Sequence, residues 1–82
     1  MVRVLFFAGL REALGSGESL PLTTQIATVA QLRDYLSARG DQWLALTTTR
    51  NLRAAVNQNM AAMDTMIKDG DEVAFFPPVT GG

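Results

Sequence analysis

The chain has no cysteine and no histidine, and each absence removes a class of chemistry. Without cysteine there is no disulfide framework, no thiol nucleophile and no thiolate for a metal. Without histidine the commonest general base and the commonest metal ligand are missing together. Charge is also scarce: 7 basic and 8 acidic residues leave a net charge of −1, and no basic cluster offers electrostatic support for nucleic-acid binding. The single lysine, Lys68, reads as a solvated residue before a turn. No apolar run is long enough to span a membrane. The opening Met1-Val2-Arg3-Val4-Leu5-Phe6-Phe7 is too short for a secretion signal, is interrupted by Arg3, and reads as a strand.

What is present points to one small folded domain. Its 82 residues, 48% of them apolar, lie near the lower size at which a single core suffices. A soluble protein of the cytoplasm is the class implied.

The hydrophobic pattern orders the elements. Val2 to Ala8 reads as a buried strand, and Leu10 to Leu14 as about one helical turn after Gly9. Gly15-Ser16-Gly17 reads as a turn, with neither the pattern nor the following Lys-Ser/Thr of a phosphate loop. Ser19 to Thr23 forms a second strand with Pro21 at an edge. Thr28 and Gln31 form a capping box ahead of a helix whose apolar face is Val29, Leu32 and Leu36, and Gly40 stops it. Trp43, Leu44 and Leu46 make a further apolar cluster of unassigned secondary structure. Leu52 to Asn57 is a strand, Gln58-Asn59 a hairpin turn and Met60 to Met63 the return strand. Asp69-Gly70-Asp71 is a turn into a last strand, Glu72 to Phe76. Its acidic residues lack calcium-ligand spacing, so no metal is expected there.

One good helix across one mixed sheet is an α+β layer architecture. With the first and last strands central and parallel, it becomes the ubiquitin-like β-grasp. The reading divides the chain into a domain, 1–76, and an extended tail, 77–82.

That tail is Pro77-Pro78-Val79-Thr80-Gly81-Gly82. At average glycine usage a terminal pair arises by chance in only ~0.5% of chains, so the pair carries information. The prolines hold the backbone extended and cannot join a following helix or central strand. Six such residues reach roughly 18–20 Å. The tail reads as a probe with an unhindered carboxylate at its tip, preceded by residues without Cβ.

Val4-Leu5-Phe6-Phe7-Ala8, Leu10-Arg11-Glu12, Ala54-Ala55-Val56-Asn57-Gln58 and the ending from Asp69 to Gly82 resemble the small-subunit family of molybdopterin synthase. The match runs end to end in order and is least between Gly15 and Ile26. Asp-Gly-Asp-Glu-Val…Pro-Pro-Val-x-Gly-Gly is its specific part. The resemblance implies a β-grasp sulfur carrier of molybdenum-cofactor biosynthesis that binds no cofactor and is not catalytic alone. It implies that an E1-like adenylyltransferase uses ATP to adenylate Gly82, and that a sulfurtransferase system converts the product to a thiocarboxylate. It further implies a heterotetramer with a large subunit, which takes sulfur from two carriers to turn precursor Z (cyclic pyranopterin monophosphate) into the dithiolene of molybdopterin. Gly81, Thr80 and Val79 would thread the partner's channel. A carrier for thiamine or another sulfur product, and a ubiquitin-like modifier, keep the same tail.

Strand alternation supplies the docking residues. Val2, Val4 and Phe6 share one face of the first strand, and Val73 and Phe75 one face of the last. If the single helix covers that side, Phe7 and Phe76 are left on the open one, an exposed aromatic pair of the kind that marks an interface. Met60 joins them as a flexible apolar contact. Arg11 is the further candidate, paired with an acidic partner near the base of the tail.

Overall fold

The computed structural model describes residues 1–78. Five strands, β1 (Val2–Phe6), β2 (Gly17–Leu20), β3 (Arg53–Val56), β4 (Asn59–Ala61) and β5 (Glu72–Phe76), form one sheet in the order β2-β1-β5-β3-β4. β1 and β5 are neighbours and parallel, and every other pair is antiparallel. Helices α1 (Gly9–Leu14), α2 (Val29–Ser37) and α3 (Ala45–Thr48), with a 3₁₀ turn at Asp41–Leu44, supply the other layer. This is the expected ubiquitin-like β-grasp.

Alternation fixes which face is covered. Val2, Val4 and Phe6 of β1, Ala54 of β3, and Val73 and Phe75 of β5 are buried against Val29, Leu32 and Leu36 of α2. Phe6 stacks on Phe75 at 6.4 Å and meets the edge of Trp43 at 5.8 Å. Trp43 thus belongs to a 3₁₀ turn that closes the core beside β1. Arg39 lies 4.5 Å over the Trp43 ring and donates two hydrogen bonds, of 2.6 and 2.9 Å, to the Glu18 carboxylate. That fork ties edge strand β2 to the chain just beyond α2.

The start of α2 follows its sequence signal. Gln31 donates its backbone N–H to Thr28 Oγ1 at 3.2 Å, while its side-chain oxygen accepts from Thr28 N–H at 3.2 Å. Two of the helix's orphan donor positions are satisfied reciprocally.

Several boundaries differ from the sequence reading. β1 ends at Phe6, because the Ala8 carbonyl accepts the Arg11 N–H at 3.0 Å and so starts α1. β2 begins at Gly17, inside the expected turn, where it pairs with Leu5, and stops before Pro21, which has no amide to donate. The hairpin turn is Asn57-Gln58, both with positive φ (51° and 70°), as a two-residue type I′ connection requires. β4 is therefore Asn59–Ala61. The Ala62 N–H goes to Thr65 Oγ1 at 3.0 Å and the strand cannot continue.

Gly17 is required by close approach. Its φ is +155°, and a Cβ built there would collide with the Val4 carbonyl oxygen of the neighbouring strand.

Candidate functional site

The face of the sheet turned away from the helices is organised in transverse rows by register. Leu5, Ala74, Ala55 and Met60 line up across β1, β5, β3 and β4. One step along, Phe76 stands opposite Arg53, and Phe7 extends the row by donating its N–H to the Phe75 carbonyl at 3.2 Å. One step the other way from the Leu5 row, Arg3 stands beside Glu72. The face is apolar in the middle and charged at both ends.

Two concavities shape it. One, of about 510 Å³, lies among Leu5, Phe7, Ala74 and Phe76, with Ala55 and Gln58 on its border. The second, of about 340 Å³, wraps the β4 edge between Arg53, Met60 and Pro78. Phe7 is 44% exposed and Met60 63% exposed, whereas Phe75, one residue before Phe76, is fully buried. Phe76 itself is half-buried. Large apolar side chains left in water on one continuous face cost solvation free energy that a covering partner would recover.

Arg11 is exposed on α1, whose Leu10 is buried. The expected tail residues Val79, Thr80, Gly81 and Gly82 lie outside the described residues. Pro77 and Pro78 follow the last residue of β5, so the base of the tail sits at the Phe7–Phe76–Arg53 end of the face.

The sequence reading named Phe7, Met60 and Phe76 but not Leu5, Ala74, Ala55, Gln58 or Arg53. Alternation alone puts Leu5 and Ala74 beside Phe7 and Phe76. Ala55, Gln58 and Arg53 needed the register of β3 against β5, which no single strand encodes.

A polar clasp holds the opposite end of β5. Asn57 Nδ2 donates to Asp71 Oδ1 at 2.9 Å, the Lys68 backbone N–H donates to Asp71 Oδ2 at 2.9 Å, and the Glu72 N–H donates to Asn57 Oδ1 at 3.0 Å. The Asn57 amide first, and the Lys68 N–H second, hold the Asp71 carboxyl below the usual carboxylate range. Asp71 is buried, only 6% exposed, so its bonds fix the hairpin turn rather than offer a site for a ligand. Asn57 is thereby held in a left-handed conformation that costs a non-glycine residue about 1–2 kcal/mol.

Among the described residues no group of three or more acidic, histidine or cysteine side chains is placed to hold a metal, and no helix is long and apolar enough to cross a membrane. Among the described residues the means of the arrangement are an apolar sheet face and, at one end of that face, the Pro77-Pro78 exit from β5.

Known proteins resemble this chain in sequence and in fold. A family model described as the ThiS family matches residues 4–82. Two relatives, each described as a molybdopterin synthase sulfur carrier subunit, align with 100% of this chain and 100% of their own length. The one from Escherichia coli (strain K12) is 45% identical and the one from Haemophilus influenzae 42%. The crystal structure of SAMP1 from Haloferax volcanii is similar with a TM-score of 0.74 at 28% identity, covering 99% of this chain and 98% of that one.

Proposed function

Since the chain belongs to the ThiS family, we propose that it is the sulfur carrier, small subunit of a molybdopterin synthase. The observation that carries this reading is the full-length similarity, at 45% identity, to a relative of that description. The apolar face and the adjacent tail base support it physically.

The chemistry would then run through Gly82. Its carboxylate is a poor electrophile. Attack by that carboxylate on the α-phosphorus of ATP, in the active site of an E1-like adenylyltransferase, forms an acyl-adenylate and releases pyrophosphate. A hydrosulfide-level sulfur supplied by a sulfurtransferase system attacks the acyl carbon, so that a C–S bond replaces the acyl–phosphate C–O bond, AMP leaves and the thiocarboxylate remains. The thiocarboxylate is a soft nucleophile at neutral pH. The large subunit draws sulfur from two such carriers to make the dithiolene of molybdopterin from cyclic pyranopterin monophosphate.

Each part of this chain has a role in that sequence. The face bearing Phe7, Phe76 and Met60 docks on the large subunit, Arg11 adds a charge contact, and Val79, Thr80 and Gly81 thread the channel. The carrier supplies no general base. Catalytic groups must come from partners, and ATP is a substrate of the activating enzyme rather than a ligand of this domain.

Incubation with the activating enzyme, ATP and a sulfur donor should raise the intact mass by the difference between one sulfur and one oxygen. An unchanged mass under conditions that load a known carrier would reject the reading. A ubiquitin-like modifier has in its favour the likeness to SAMP1, the small archaeal modifier protein 1 of Haloferax volcanii. In that case the mass of Gly82-linked products would instead include a target protein joined through a lysine amide.

A further inference from the structure

Resting on the docking reading above, we propose that Arg53 is a charged anchor of the partner interface, and that the protein partner presents a carboxylate to it beside the base of the tail. Arg53 opens β3 and stands in register opposite Phe76, the last residue of β5. The next residue, Ala54, is buried in the core, so alternation turns Arg53 to the open face. There it lines the concavity that also contains Met60 and Pro78. One guanidinium thus adjoins an aromatic docking residue, a flexible apolar contact and the start of the tail.

This chain leaves that charge uncompensated among the described residues. The ion pairs there join Met1 to Asp69, Arg33 to Asp34 and Arg39 to Glu18. Glu72, the carboxylate in the rows of the open face, is four residues away along β5, roughly 13 Å, and stands beside Arg3 instead.

Docking changes what an exposed arginine costs. A partner covering Phe76 and Met60 removes water from Arg53 as well, and a desolvated charge without a counter-charge opposes association. The planar fork of arginine matches a carboxylate through two parallel hydrogen bonds. Such a pair at the mouth of the partner's channel would also fix the register with which the tail enters. Apolar contacts alone define that register poorly.

The test uses the purified full chain and the large subunit of the same organism, with affinity measured over a range of salt concentrations. Arg53→Ala should weaken binding roughly tenfold or more, and Arg53→Glu further. Arg53→Lys should recover only part of the loss, because a point charge replaces the fork. The wild-type affinity should fall with salt more steeply than that of Arg53→Ala. Melting temperatures should be unchanged, since the side chain is exposed. Reversing the partner's carboxylate to lysine should restore binding of Arg53→Glu. Wild-type affinity and salt dependence in Arg53→Ala and Arg53→Glu, alongside weakened binding of Phe76→Ala, would overturn this inference while leaving the docking face in place. Tighter binding of Arg53→Glu would overturn it by revealing a basic partner surface. If the wild-type chain does not bind the large subunit, the docking reading fails, and this inference with it.

Discussion

Asn57 clasps Asp71 across 14 residues of sequence, its side-chain amide donating to the carboxylate at 2.9 Å. The bond ties the turn between β3 and β4 to the turn that launches β5, the strand that carries the tail. Asn57 is also the first left-handed residue of its hairpin, so one side chain sets both a turn and the position of a neighbouring strand.

Replacing Asp71 with Asn should cost about 1–3 kcal/mol, because Asn57 and the Lys68 N–H donate to different carboxylate oxygens and an amide puts an NH2 donor in place of one of them. The pH dependence has a definite sign. The folded-state pKa of Asp71 is depressed, so its stabilisation is fully present above the unfolded value of about 3.9 and is lost as pH falls towards and through the lower folded value. Chemical denaturation from pH 7 down to pH 2 should show this loss in the wild type. In Asn57→Ala the slope below pH 4 should be shallower.

Gly17→Ala should destabilise by more than about 1 kcal/mol, since it combines an unfavourable φ with a collision against the Val4 carbonyl. A thermal melt checks it directly. Gly9→Ala is the control, because a Cβ there meets nothing within 4 Å. Equal melting temperatures for the two variants would contradict the close approach of β1 and β2.

Phe7→Ala and Phe76→Ala should each weaken binding to the large subunit by about 1–4 kcal/mol, with little loss of fold stability. Phe75→Ala should do the reverse, costing about 3–5 kcal/mol of folding free energy through the cavity it leaves. Pairing calorimetry of binding with denaturant titration separates the two effects. Global unfolding caused by Phe7→Ala would show that this aromatic supports the core instead.

Deleting Gly82 should leave the melting temperature unchanged yet abolish sulfur transfer, because the reacting carbonyl is displaced by a whole residue. Gly81→Ala keeps the terminal carboxylate and adds one methyl. Starting from chemically prepared thiocarboxylate, transfer to the pterin precursor should fall sharply, since a misplacement of about 1 Å at a reacting group can cost on the order of a hundredfold. A wild-type rate would show that the synthase does not read residue 81 sterically.

The sequence alone determined whatever depends on local chemistry. The Thr28–Gln31 capping box requires only two side chains at a fixed spacing, and it formed as read. Alternation in β1 and β5 separated Phe6 from Phe7 and Phe75 from Phe76, because a strand turns successive side chains to opposite faces whatever its neighbours are. The absence of histidine and cysteine is likewise a property of composition and depends on no strand pairing.

Tertiary structure decided whatever depends on which strand lies beside which. The hairpin turn fell at Asn57-Gln58, one residue before the expected position, because Asn57 is held there by Asp71 and the Glu72 N–H, distant groups that the local turn pattern does not contain. The 3₁₀ turn around Trp43 packs against Phe6 and beneath Arg39, contacts with no sequence period. Arg53 came to lie beside Phe76 only through the antiparallel register of β3 on β5. Hydrogen-bonded ladders are set by pairing between segments, and a shift of one residue would have turned Arg53 to the core and Ala54 to the open face.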